Sequence, residues 1–220
     1  MPGHRGAHVR GRHIAALACA TFALAAALTG CGGDEDTTNL NGFTRTPAAN
    51  VGSVGLPDVA PGAGGATMPF RAAPGGLLLA YFGYTYCPDI CPTTLADVRR
   101  ALERLPAADR GRVAVAMTTV DPDRDTRKVL NGYLRHFFPT WHALRTTDPA
   151  ELRRAEKPFG ARHEIGPKNA DGEYDVSHTA VLYAVDDAGV VRVEWPFGTE
   201  ADAIAADLRT LLAEQRAPAA

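Results

Sequence analysis

The sequence predicts an α/β domain, a three-layer sandwich in which a central mixed sheet is flanked by helices. Short, almost wholly apolar runs at 77–82 and 113–117 are suited to buried strands. Segments at 95–105 and 126–138 carry apolar residues three or four positions apart, which is typical of amphipathic helices. Because strands and helices alternate along the chain, both faces of the sheet should be covered.

The predicted elements follow from apolar spacing and from the turn residues between them. Gly75-Gly76 precedes the first strand, Pro139 ends the second helix, and Asp148-Pro149 suits the start of the next one. In chain order we expect strand 77–82, loop 83–92, helix 95–105, strand 113–117, helix 126–138, strand 141–144, a short helix from 148, strand 179–185, turn 186–189, strand 190–195 and helix 201–212. A βαβ unit followed by a ββα unit is the order of the thioredoxin fold, so we predict a thioredoxin-like domain.

Residues 1–30 predict a secretory signal rather than part of the fold. Arg5, Arg10 and Arg12 precede an apolar run at 14–28, which is too short for a comfortable membrane span. The run ends in Leu-Thr-Gly-Cys, which resembles the lipobox of bacterial lipoproteins. This resemblance implies acylation of Cys31 and a lipid anchor on the outer face of the cytoplasmic membrane. The alternative is an ordinary signal peptide with a chance cysteine.

The remaining chain divides by composition into a tether and a domain. Residues 31–53 are rich in small and polar residues without an apolar period, and they predict a flexible tether. Residues 54–216 have the size of one domain. Loss of the three signal arginines takes the formal net charge from -2 to -5. A mildly acidic body argues against a nucleic-acid partner and leaves membrane attachment to the acyl chains.

Cys87 and Cys91 lie between the first strand and the first helix and carry the predicted chemistry. Of the four cysteines, Cys19 would leave with the signal and Cys31 would be acylated, so these two remain. A disulfide between them closes too small a loop to stabilise the chain much, so the pair is predicted to be chemical. The helix N-terminus favours thiolates there. The pair is either a redox dithiol or a clamp for Cu(I), with Zn(II) a competitor.

His178 is the candidate third ligand of such a clamp. It immediately precedes strand 179–185, and in this order of elements that position lies beside loop 83–92. Two sulfurs and one imidazole can hold both Cu(I) and Cu(II). A lone histidine is more often a surface or packing residue. The other histidines of the domain have no ligand-like spacing and are assigned that role: His136, His142 and His163.

The acidic turn at 120–126 follows the second strand and should lie at the same end of the sheet as the cysteines. Asp121 either supports the ligands, or contacts a docking partner, or is an ordinary turn residue. For Asp123 and Asp125 we favour turn or helix-cap roles.

Three motifs together resemble the Sco/SenC family. They are Phe-Gly-Tyr-Thr-Tyr-Cys-Pro-Asp-Ile-Cys-Pro at 82–92, Val-Asp-Pro-Asp-Arg-Asp-Thr at 120–126 and Ser-His-Thr at 177–179, and the resemblance spans about residues 54–215. It implies a thioredoxin-like fold with copper bound by Cys87, Cys91 and His178. It also implies a role in assembling the dinuclear copper site, CuA, of cytochrome c oxidase, by delivering copper or by reducing the cysteines of that site.

Two functions therefore stay open. One is a monomeric copper-binding assembly factor that serves the CuA-bearing oxidase subunit or another copper acceptor. The other is a thiol–disulfide oxidoreductase in which Cys87 and Cys91 are the redox pair and His178 is not required. A peroxide-reducing relative of the same fold is disfavoured, because Thr85 lies two residues before Cys87 and peroxiredoxins use a different spacing.

Overall fold

The computed structural model describes residues 39–215, so the predicted signal peptide and Cys31 lie outside the described residues. The strands are β1 (Gly55–Pro57), β2 (Thr67–Pro69), β3 (Leu77–Gly83), β4 (Val113–Thr119), β5 (His142–Leu144), β6 (His163–Ile165), β7 (Val176–His178), β8 (Val181–Val185) and β9 (Val191–Pro196). The helices are α1 (Ile90–Glu103), α2 (Ala107–Arg110), α3 (Arg127–Leu134), α4 (Pro149–Phe159) and α5 (Ala201–Glu214). None of these helices has the length and apolar character needed to cross a membrane.

A five-stranded mixed sheet in the order β5-β4-β3-β8-β9 forms the centre of the fold. β3 pairs in parallel with β4 and antiparallel with β8, and β8 pairs antiparallel with β9. The βαβ unit formed by β3, α1 and β4 and the ββα unit formed by β8, β9 and α5 follow the predicted order. The predicted α/β class with a mixed sheet flanked by helices is confirmed.

The central strand β3 shows how the two outer layers are arranged. All seven of its residues are buried, because helices cover both faces of the sheet. Alternate side chains of a strand point to opposite faces. Tyr81 contacts Cys91 of α1, whereas Phe82 packs edge-on against Phe159 of α4, with ring centroids 5.2 Å apart. α5 packs beside α1, so the cysteine-bearing helix lies in a continuous helical layer.

The described chain from residue 39 packs onto the domain, which differs from the flexible tether predicted for 31–53. Val51 is fully buried in the core. Asp207 of α5, itself buried, accepts hydrogen bonds from the backbone N–H of Asn41 at 2.8 Å and from Nε1 of Trp195 at 2.8 Å. The contacts that hold this segment come from single side chains, so no periodic apolar pattern in the sequence reveals them. The predicted boundaries at residues 30 and 216 stay predictions.

Two further elements differ from expectation. A small antiparallel hairpin, β6 with β7, lies between α4 and β8, and it pairs His163 with His178. Its strands are three residues long and partly exposed, so they lack the apolar alternation that reveals a strand. α3 ends at Leu134 rather than at 138, because the chain then passes into tight turns.

Candidate metal centre

The two cysteines lie where β3 passes into α1. α1 begins at Ile90, so Cys91 belongs to its first turn and Cys87 to the preceding loop. Asp89, at the N-cap position, makes no side-chain cap. Instead, the backbone N–H of Cys91 donates to Sγ of Cys87 at 3.3 Å. The helix N-terminus therefore holds the Cys87 sulfur by a hydrogen bond that the backbone supplies.

His178 completes a three-ligand cluster with the cysteines. Its Nε2 lies 3.4 Å from Sγ of Cys91, and the ligand atoms of all three residues lie within 4.8 Å of one another. Nδ1 of His178 lies 3.1 Å from the carbonyl oxygen of Thr179. This contact requires a proton on Nδ1, and Nε2 of the neutral ring is then free to bind a metal ion. The structure thus brings together the three ligands that the sequence predicts.

Two tyrosines enclose the imidazole of His178, and sequence reasoning missed both. The rings of Tyr81 and Tyr84 meet the imidazole edge-on, with centroids at 6.0 Å and 5.7 Å. The hydroxyl of Tyr81 also donates to Sγ of Cys91 at 3.5 Å. A tyrosine in an otherwise apolar buried strand was a usable signal, because a buried phenol needs a hydrogen-bond partner.

Burial sets the protonation states of the cluster. Loss of solvation raises the pKa of the Cys91 thiol to about 12, and the neighbouring Cys87 adds to this. Burial also lowers the pKa of His178 below its ordinary value. At neutral pH the metal-free cluster therefore holds a Cys91 thiol and a neutral imidazole. The expectation that the helix N-terminus would favour a thiolate is wrong for Cys91, because desolvation outweighs the helix dipole.

Asp121 supports the segment that leads to His178. Its buried carboxylate forms an ion pair with Arg124 and accepts a hydrogen bond from the hydroxyl of Tyr174 at 2.7 Å. The guanidinium of Arg124 lies over the ring of Tyr174, 3.9 Å from its centroid, and over the ring of Tyr86 at 5.1 Å. Asp121 thereby joins the acidic turn to both the cysteine loop and the segment before β7.

Asp125 holds the cysteine loop, and the turn or cap role predicted for it is wrong. It is fully buried and accepts hydrogen bonds from the N–H of Thr85 at 3.0 Å and from the hydroxyl of Thr119 at 2.7 Å. The cap of α3 is Thr126, whose side chain accepts from the N–H of Val129. Asp123 is exposed on the turn. The position of Asp125, just past β4 and beside the cysteine loop, was the signal for its role.

The other histidines lie outside the cluster formed by the described residues. Nδ1 of His142 lies 2.7 Å from a carboxylate oxygen of Asp58, and Nδ1 of His163 lies 2.6 Å from one of Glu156. His136 is exposed. Their packing and surface positions agree with the roles that the sequence predicts.

A cleft of about 510 Å³ opens beside the cysteine loop. One wall consists of Tyr84, Tyr86 and Pro88, and the other of Arg124 and residues from the segment 167–175. Tyr86 is 63% exposed. Because Tyr86 and Pro88 flank Cys87 in the chain, the cleft gives a partner molecule room to approach that sulfur.

Solved structures resemble this chain in fold and sequence. The solution structure of apo Sco1 from Thermus thermophilus matches with a TM-score of 0.67 and 30% identity, covering 78% of this chain and 96% of that one. Bradyrhizobium japonicum ScoI with copper bound matches with a TM-score of 0.62 and 31% identity, covering 74% and 99%. These likenesses confirm the predicted thioredoxin-like fold.

Sequence comparison leads to the same group of proteins. The mitochondrial SCO2 homologue of Danio rerio is 36% identical over 119 residues, which are 53% of this chain and 42% of that protein. The chain spans about half the length of the curated relatives it matches. The family model described as SCO1/SenC matches residues 63–213, which include all three ligands of the cluster. The chain therefore belongs to the SCO1/SenC family.

Proposed function

We propose that this chain binds copper through Cys87, Cys91 and His178 and passes it to a copper acceptor. The observation that carries the proposal is the convergence of two sulfurs and one imidazole nitrogen within 4.8 Å of one another. Thiolates suit Cu(I), and imidazole also suits Cu(II), so this donor set fits both oxidation states. The copper-bound relative from Bradyrhizobium japonicum supports the same choice of metal.

The protonation states of the ligands support copper uptake that is coupled to the release of a proton from Cys91. The imidazole of His178 is already neutral, because burial lowers its pKa. The Cys91 thiol, with its pKa raised to about 12, must lose a proton when it binds the metal ion. Copper uptake should therefore release protons, as thiolate ligation generally does.

We further propose that the acceptor is the subunit of cytochrome c oxidase that carries CuA. The chain would act from the outer face of the cytoplasmic membrane, anchored as a monomer through an acylated Cys31. Support comes from membership of the SCO1/SenC family, from the lipobox-like sequence that ends at Cys31, and from the cleft of about 510 Å³ beside the cysteine loop. Acceptor thiols that enter this cleft would take copper by ligand exchange.

The experiment that tests copper binding is an anaerobic titration of the reduced full chain in detergent. We expect one copper per chain and a strong sulfur-to-Cu(II) absorption, both of which depend on the imidazole. His178→Ala should lose the absorption and bind copper much more weakly. His136→Ala is the matched control, because that histidine is exposed and outside the cluster. Wild-type affinity in His178→Ala would remove the imidazole from the site.

A thiol–disulfide oxidoreductase is the second candidate. The observation in its favour is that both sulfurs are free thiols and lie within 4.8 Å of each other. Against it, the pKa of about 12 leaves Cys91 protonated at neutral pH, so it is a poor nucleophile for the step that would close a disulfide with Cys87. Equilibration with glutathione buffers tests this function. Rapid exchange that is unchanged in His178→Ala, together with weak copper binding by the wild type, would favour the reductase.

A further inference from the structure

Tyr81 places a polar group inside an otherwise apolar strand. It is 1% exposed, in the middle of the sheet, so its hydroxyl has no access to solvent. A buried phenol of this kind is stable when its O–H finds an acceptor. The hydroxyl lies 3.5 Å from Sγ of Cys91, within range of an O–H···S hydrogen bond. Once Cys91 is a thiolate, its sulfur can only accept, so Tyr81 must be the donor.

The surrounding packing fixes this contact. Gly83 lies next to it on the same face of β3, and a Cβ there would lie 2.7 Å from Cε1 of Tyr81 and 3.0 Å from Sγ of Cys91. On its other side the ring of Tyr81 meets the imidazole of His178 edge-on, at an interplanar angle of 88°. Tyr81 therefore contacts two of the three ligands and has little freedom to turn away.

The two sulfurs receive their hydrogen bonds from different sources. Sγ of Cys87 accepts from the backbone N–H of Cys91 at 3.3 Å, which no side-chain substitution removes. Sγ of Cys91 accepts from the side chain of Tyr81, and the backbone of Tyr84 also hydrogen-bonds to it. Tyr81 is thus the donor to the Cys91 sulfur that a single side-chain substitution removes.

We propose that Tyr81 is a positioning residue that sets the balance between Cu(I) and Cu(II) at the site. A hydrogen bond to a ligating thiolate withdraws charge from the sulfur and weakens its donation to copper. Cu(II) depends more on this donation than Cu(I) does, so the hydrogen bond favours the reduced ion. Hydrogen bonding to a cysteine sulfur is a recognised means of tuning the reduction potential of copper sites. The inference rests on the copper function proposed above and adds a residue outside its ligand set.

The test compares wild type with Tyr81→Phe in the full chain. The affinities for Cu(I) and Cu(II) are each measured by competition with a chromophoric chelator, and the sulfur-to-Cu(II) absorption band is recorded. We expect one copper per chain in both proteins. In Tyr81→Phe the affinity ratio should move toward Cu(II) by about tenfold, which corresponds to a reduction potential lower by about 59 mV. The band should move to longer wavelength, because the sulfur becomes a stronger donor.

Tyr133→Phe is the matched control. The Tyr133 hydroxyl is buried and has no hydrogen-bond partner among residues 39–215. Burial and the charges of both cysteines raise its pKa, so it lies within electrostatic reach of the site. Its removal should leave the ratio and the band unchanged. Replacement of Tyr81 by 3-fluorotyrosine keeps the ring and strengthens the donor, so it should shift both readouts in the opposite direction. It also tests the inference if Tyr81→Phe fails to fold.

The outcomes separate this inference from the copper function. An unchanged affinity ratio and band in Tyr81→Phe, with one copper still bound, would refute the role of Tyr81 alone. An equal shift in Tyr133→Phe would refute it as well, since a general packing effect would then be the cause. Absence of copper binding in the wild type would overturn the proposed function and this inference with it.

Discussion

Replacement of Gly83 by alanine adds one methyl group at the most crowded point of the site. A Cβ at this position would lie 2.7 Å from Cε1 of Tyr81, 3.0 Å from Sγ of Cys91 and 3.3 Å from Cε of Met117. Ordinary van der Waals contact begins at 3.4 Å, so the tyrosine ring must move by about 0.7 Å and the sulfur by about 0.4 Å. Both moves are opposed by a buried strand and a helix that pack without spare volume.

The size of the effect follows from two opposing contributions. Overpacking of a close-packed core costs about 1–3 kcal/mol. Replacement of glycine also lowers the conformational entropy of the unfolded chain, which raises the free energy of unfolding by about 0.4–1 kcal/mol. Gly132→Ala in α3 gains the same entropic term, and its Cβ meets no atom within 4 Å. We therefore expect Gly83→Ala to lower the free energy of unfolding by about 1–2 kcal/mol, and Gly132→Ala to raise it by about 0.5–1 kcal/mol.

Urea unfolding of the metal-free chain and chelator competition for copper measure the two consequences. Gly83→Ala should show a lower midpoint with an unchanged slope, and a weaker copper affinity, because Sγ of Cys91 is displaced from its position 3.4 Å from Nε2 of His178. Gly132→Ala should bind copper as the wild type does. Equal stability changes in the two variants, with undiminished copper affinity in Gly83→Ala, would refute the reasoning.

Two further predictions concern buried carboxylates that are not ligands of the cluster. Burial raises the pKa of Asp125 above its unfolded value of about 3.9. Between the unfolded and the folded pKa, the native state therefore binds more protons than the unfolded chain. The contribution of Asp125 to the free energy of unfolding falls as the pH rises through this range. The free energy of unfolding of Asp125→Asn, measured by urea titration and taken relative to wild type, should therefore increase with pH from about pH 4 upward. A difference between the two proteins that does not change with pH would contradict this prediction. Asp207→Ala removes the acceptor of Asn41, Gly42 and Trp195, so it should cost about 2–4 kcal/mol and accelerate hydrogen exchange at the amides of Asn41 and Gly42. Unchanged exchange at both amides would show that these residues are held by other contacts.

The parts of the fold that sequence reasoning found are those with a continuous or periodic apolar pattern. The run at 77–82 predicts β3 to within one residue, because a strand buried on both faces needs an apolar side chain at nearly every position. The N-cap predicted at Asp148 is also confirmed, since its side chain accepts from the N–H of Ala150. Such signals depend only on residues that are neighbours in the chain, so they can be recognised before the tertiary contacts are known.

The parts that it missed depend on single long-range contacts. The segment that begins at residue 39 is attached by Asp207, a residue 166 positions away from Asn41. The hairpin of β6 and β7 consists of short, partly exposed strands and has no apolar alternation to reveal it. The role of Asp125 was missed because an aspartate after a strand suits a turn equally well. In each case the decisive contact or strand pairing is not set by the local sequence pattern. That pattern does not show which residue will be the contact partner.

The ligand residues themselves were visible in the sequence, but their electrostatics were not. Apolar spacing and the neighbouring prolines place Cys87 and Cys91 at the start of a helix, where the helix dipole favours thiolates. The structure adds that Cys91 has no exposed surface and that burial raises its pKa to about 12. The degree of burial is a property of the packed layers, so the sequence could indicate the ligands without indicating which of them keeps its proton.

The unequal burial of the two sulfurs gives any exchange of ligands a direction. Cys87 retains 8% of its surface and its chain neighbours Tyr86 and Pro88 line the open cleft. Cys91 retains none and lies beneath Tyr81 and His178. An incoming thiol can reach the Cys87 side first, and it can replace that ligand while Cys91 still holds the cargo. We expect release of Cys91 to come last, because its freed sulfur is returned to an apolar interior where only the protonated form is stable. Uptake of a proton by Cys91 would then make the final step of the transfer hard to reverse.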